Sequence, residues 1–98
     1  MQELNGEQLS KIEELNLQVE SARKHFLEVA PTEGLNSEIA REAIRAYQDL
    51  LQILATQQEN RDLWYNTEVY NTYVEAAKIN PEYQEMVDSA QEDLDMLQ

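Results

Sequence analysis

The chain has 98 residues and not one cysteine, so disulfides, thiolate metal sites and thiol catalysis are excluded. Glycine and proline are nearly as scarce: Gly6, Pro31, Gly34 and Pro81 are the complete set. A β-rich chain needs turn signals about every ten residues, and this one lacks them. Bases are few, seven against 20 acids, for a net charge of −13. That balance argues against direct binding of DNA, RNA or an anionic membrane, because like charge repels phosphate. Apolar runs are short as well. The longest, Leu50 to Ala55, is interrupted by Gln52 and falls far below the roughly 20 residues of a membrane span. Met1 to Ser10 holds two acids and no base, the reverse of a targeting leader, and Asp95 to Gln98 matches no lipidation signal. A cytoplasmic protein is the expectation.

Catalytic material is equally thin. His25 is the sole histidine, with Ser21 four residues before it. A nucleophile and base on adjacent helical turns, without a Gly-rich oxyanion loop, do not make an acyl-transfer site. The Glu-x-x-His pair of di-iron bundles is missing, since Ala22 stands three residues before His25. Neither glycine lies in a calcium loop or a phosphate cradle, and Asp88, Glu92, Asp93 and Asp95 could at most gather a divalent ion weakly. No enzymatic activity, cofactor or specific metal site is expected.

What the chain does have is enough to fold. Leu, Ile, Val and Phe total 23 of 98 residues, above the roughly one-fifth below which charged chains stay disordered. One modest core and a single helical domain over 1–98 follow from that size. Leu35 to Asn80 contains neither Gly nor Pro and is rich in Ala, Leu, Glu and Gln, a helical composition. The class expected is all-α, an antiparallel bundle or extended hairpin of three to four helices.

The first helix should begin at Asn5, with Gln8 placed for a capping box. Ile12, Leu15, Val19, Ala22, Phe26 and Val29 follow at alternating spacings of three and four, a heptad seam widened by Leu9 and Leu27. Pro31 ends the element. Asn36 or Ser37 caps a second helix whose stripe is Ala40, Ala43, Ile44, Tyr47, Leu50, Leu51 and Leu54, with an end expected near Asn60. Asp62 to Ile79 carries a tandem echo, Tyr65 to Val69 then Tyr70 to Val74, rich in strand-favouring residues. A repeat of five is no strand period and no hairpin turn divides the copies. Val69, Tyr70, Tyr73, Val74 and Ala77 define a helical face, with an irregularity expected near Asn66. Asn80 and Pro81 then start a last helix, with Tyr83, Met86, Val87, Ala90, Leu94 and Leu97 inward.

The charge distribution carries the functional reading. Glu82, Glu85, Asp88, Glu92 and Asp95 recur at spacings of three and four, Glu75 extends the line, and Ile79 to Gln98 has six acids and no base. Like charges on successive turns disfavour a helix by a few tenths of a kcal/mol per pair. One reading is that these acids are only the polar face a soluble amphipathic helix needs; yet such a face would normally intersperse bases, as near Arg41 and Arg45. An unrelieved row instead suits a basic partner surface, and its rise of about 4.5–6 Å per acid is comparable to the spacing of phosphates along a nucleic-acid strand. Trp64 and Tyr70 lie in the same third of the chain and are the residue types of binding hot spots, although Trp64 also suits a core plug. The leading expectation is a non-enzymatic interaction module that docks this face on a basic protein, in its strongest form an inhibitor that imitates nucleic acid before a nucleic-acid-binding protein. The alternative is a structural or adaptor protein that self-associates, or binds partner helices, through Ile12, Leu15, Val19 and Phe26; a homodimer is favoured over a monomer.

Overall fold

A computed structural model describes residues 6–97, with side chains from Ser10 onward. It contains α1 (Gly6–Val29), α2 (Glu38–Ala55), α3 (Arg61–Ile79) and α4 (Gln84–Leu97), with one 3-10 turn at Pro81–Tyr83 leading into α4. The all-α class holds, and no described segment is a strand. Among the described residues no helix is long and apolar enough to cross a membrane. The Asn5 cap, and the side chains of Gln8 and Leu9, lie outside the described residues.

Asparagine and serine set the boundaries. Ser37 Oγ accepts from the Ala40 amide at 3.5 Å and donates to Glu33 Oε2 at 2.7 Å. α2 stops at Ala55, five residues short of the expected Asn60. The amides of Thr56, Gln57 and Gln58 bond three residues back, at 3.3, 3.0 and 2.9 Å, and Thr56 Oγ1 donates to the Ile53 carbonyl at 2.7 Å. That tightening satisfies the last carbonyls and closes the helix. Asn60 is instead the cap of α3, accepting from the Leu63 amide at 3.4 Å.

α3 is regular through Asn66, contrary to the expected irregularity. Its polar side chains bond one turn back: Asn66 Nδ2 to the Asp62 carbonyl at 2.8 Å, Thr67 Oγ1 to that of Leu63 at 2.7 Å. Residues that often oppose helix formation by competing for backbone groups are thereby satisfied within it. Tertiary packing supplies the rest. Among the described residues α3 is the one helix in contact with all three others, and α4 touches α3 but neither α1 nor α2. The result is a flattened body, 46 × 29 × 18 Å, with a radius of gyration of 14.7 Å against about 13 Å for a compact domain of this length.

The heptad seam is consumed inside the chain. Val19 and Phe26 are buried, while Ile12, Leu15, Ala22 and Val29 are half-buried, most of them against the same core. This corrects the expected oligomer seam. The short connector after α1 folds α2 back at an effective concentration that a second chain cannot match. Trp64 is corrected as well: it sits half-buried in the first turn of α3, and the centre belongs to Tyr47, Phe26, Leu51 and Thr72, all essentially inaccessible. Burial of each such apolar side chain contributes about 1.5–3 kcal/mol. Phe26 meets Tyr73 and Tyr83 edge-on, with ring centroids 6.3 and 5.4 Å apart, the arrangement ring quadrupoles favour.

Among the described residues one residue of polar type, Thr72, is buried in this core. Thr72 Oγ1 is 3.0 Å from Arg23 Nε of α1, 2.9 Å from the Tyr47 hydroxyl of α2 and 3.0 Å from the Glu68 carbonyl of its own helix. A hydroxyl has one proton and two lone pairs. Two arrangements satisfy every group, with Arg23 donating to Thr72 in both: Thr72 donates to the Glu68 carbonyl and accepts from Tyr47, or Thr72 donates to the Tyr47 hydroxyl, which in turn donates to the Glu68 carbonyl 3.4 Å away. Sequence reading omitted Thr72, because threonine belongs to no apolar stripe.

Thr72→Val should lower stability by about 1–3 kcal/mol in urea denaturation, since it strands the Arg23 donor and leaves Tyr47 with only its longer bond to the Glu68 carbonyl. Tyr47→Phe should cost less, and the double variant less than the sum, because each change removes the other's partner. Burial also raises the Tyr47 phenol, and raises Tyr73 to about 12 with the nearby Tyr65 and Tyr83 adding to the shift. The unfolded chain releases these protons near pH 10, the folded chain higher, so their stabilisation is complete below pH 10 and lost as pH rises to about 12. The urea midpoint should fall over that window, and Tyr73→Phe should make the fall shallower.

Candidate protein-docking face

The position of α4 is set at its first residues. Asn80, in extended conformation, accepts from the Glu82 amide at 3.1 Å through Oδ1 and donates to the Ala30 carbonyl at 2.9 Å through Nδ2. Its cap role matches the expectation from sequence, although the first turn is 3-10 rather than α. The Tyr83 hydroxyl donates to the Glu33 carbonyl at 2.8 Å, and burial followed by the Glu82 and Glu33 charges raises that phenol. The α3–α4 corner is therefore bonded to the α1–α2 connector. The Glu82 carboxylate lies against Gly34, where a Cβ would stand 2.6 Å from its Oε2 and the exposed carboxylate would have to turn aside.

Beyond the corner, α4 divides into two faces. Tyr83, Val87, Ala90 and Leu94 are buried, while Met86 is half-buried and Leu97 exposed. Glu82, Glu85, Asp88, Glu92 and Asp95 are all exposed. At 100° per residue the last four of these fall within an arc of about 80°, opposite the buried side, and span about 15 Å along the axis. Their immediate contacts are neutral. Gln84 Nε2 donates to Asp88 Oδ1 at 3.1 Å and Gln91 Nε2 to Asp95 Oδ1 at 3.0 Å, which orients the carboxylates without cancelling charge. Among the described residues no ion pair engages an α4 carboxylate. The ion pairs described are Arg61–Asp62 at 3.7 Å and Lys78–Glu75 at 3.4 Å.

Two further features shape this surface. Asp93 and Asp95 lie near the C-terminus of α4, whose last turn has no base; the helix dipole makes negative charge there unfavourable by about 0.3–1 kcal/mol per residue. No three acids or histidines among the described residues converge on a point where a metal ion could be held. A row with one acid per turn spreads charge along a line.

The other expected site residues fall elsewhere. Glu75 is exposed on α3 with Lys78 as its own counter-ion, so it does not prolong the unpaired row. Trp64 borders a groove lined from α1, α2 and α3 and by nothing from α4. Tyr70 is half-buried against the core. The structure thus gathers the acids on one side of α4 and places Trp64 at a different groove. It also adds something the sequence did not disclose, a cleft of about 620 Å³ between α2 and the start of α4, where Arg41, Ile44, Glu82, Glu85 and Met86 meet. Ile44 and Met86 stand at the edges of their apolar stripes, a signal visible in retrospect.

Asn80→Ala removes the cap and the bond to Ala30 together, and should cost about 1–2 kcal/mol. Amide hydrogen exchange should quicken most in the first turns of α4. Comparison of the chain with protein-family models, with curated proteins and with solved structures finds no significant match.

Proposed function

We propose that the protein is a non-enzymatic interaction module that docks the carboxylate face of α4 on a basic surface of a partner protein. The observation that supports this reading most is the row of exposed carboxylates Glu82, Glu85, Asp88, Glu92 and Asp95, on α4 and the turn before it, with no ion-pair partner among the described residues. A helix that tolerates like charges on successive turns and acids at its C-terminal end forgoes stability in every turn. A partner supplying Lys and Arg recovers that energy on binding, steers the encounter and rejects acidic competitors. In the strongest version the partner binds nucleic acid, and the row of carboxylates occupies the positions of its phosphates. The one histidine, His25, is exposed on α1 away from this face, and the reading assigns it no catalytic part. The burial of Val19 and Phe26 in the chain's own core weighs against the self-association alternative.

The test is capture of partners from the native host, followed by calorimetry with the partner identified. Affinity should fall at least tenfold between low and physiological salt, as screening of exposed charge requires. The triple variant Glu85→Lys, Asp88→Lys, Glu92→Lys should fold normally and lose binding. Unchanged affinity in that variant would refute the assignment.

A further inference from the structure

The cleft beside α4 follows from the bonded corner. Asn80 and Tyr83 hold the start of the helix against the α1–α2 connector, while its remaining turns pack on α3 alone. α4 and α2 are left apart by a gap of about 620 Å³. Its base is the buried pair Tyr73 and Tyr83, and Ile44 and Met86 remain half-exposed on opposite walls. Glu82 and Glu85 stand on the α4 wall, and Arg41 faces them from α2.

The walls and their charges specify the occupant. Both are helices whose backbone groups are already bonded, so an extended segment would find no edge to pair with. Recognition falls to side chains, which suits an amphipathic helix laid into the gap with apolar residues one turn apart. The two carboxylates on one rim call for Lys or Arg on that side of the helix. Arg41 opposite disfavours bases there and so fixes the orientation. A second copy of this chain does not fit, because at a net charge of −13 it would bring carboxylates against carboxylates.

We propose that the α2–α4 cleft receives a basic amphipathic helix of the partner, its apolar stripe on Ile44 and Met86 and its bases beside Glu82 and Glu85. The proposal rests on the docking function above and narrows it to one site and one kind of partner element.

The test uses the full chain carrying ¹³C-methyl methionine, titrated with two synthetic 18-residue peptides. One is an amphipathic helix of Leu and Lys, the other is lysine alone. Met86 reports the cleft, and Met96, 84 % exposed near the end of α4, reports the outer face. The expected result is a saturable shift of Met86 with the amphipathic peptide and none with the lysine peptide. Glu82→Lys with Glu85→Lys, both exposed positions, should weaken that binding at least tenfold. Asp88→Lys, Glu92→Lys and Asp95→Lys together, further along the same docking face, should weaken it by less than the Glu82, Glu85 pair does. A shift of Met96 without Met86, equal action by the lysine peptide, or no binding by the amphipathic peptide would overturn the cleft. Where the first of these is abolished by the outer triple variant, the docking face stands while the cleft fails.

Discussion

A single buried hydroxyl, that of Thr72, joins three helices at one point. It meets Arg23 from α1 and Tyr47 from α2 while closing its bond to Glu68 within α3. Apolar contacts around it are stronger in sum but hold no particular register, since hydrophobic attraction has no direction. Hydrogen bonds do have direction, and an unmade one in this interior is costly. The network therefore selects one way for α3 to lie across the α1–α2 hairpin. α4 then inherits its position, because α3 is the one helix it touches among the described residues.

The second constraint acts at the corner. Asn80 and Tyr83 reach the carbonyls of Ala30 and Glu33, so two connectors distant in sequence become one bonded unit. This holds the first turn of α4 close to the body while the helix itself remains outside a four-helix stack. An outward acidic face and an open cleft beside it are the two consequences. Both arise from the same geometry, since a closed bundle would have filled the cleft.

The parts of this architecture legible in the sequence are those governed by local periodicity. The α4 stripe of Tyr83, Val87, Ala90 and Leu94, and the exposure of the acids between them, follow from 3.6 residues per turn. The α2 stripe was legible for the same reason. Its end was not: Asn60 is an equally good stop for one helix and cap for the next, and the three-residue bonding after Ala55 decides between them. The heptad seam of α1 was read correctly as apolar, but not that the chain's own helices cover Val19 and Phe26, because a periodicity says which residues avoid water and not what covers them.

Composition and spacing by themselves determined that the chain is helical, that its acids gather toward one end, and that cysteine or paired histidine chemistry is closed to it. Each of these depends on residue type or on near neighbours, which a linear text records. Tertiary structure alone decided that Thr72 is central and Trp64 peripheral, and that α4 stands clear of α2. Those outcomes depend on which distant segments meet, and they are set by hydrogen bonds between residues about 25 to 50 positions apart, a separation at which no local pattern carries information.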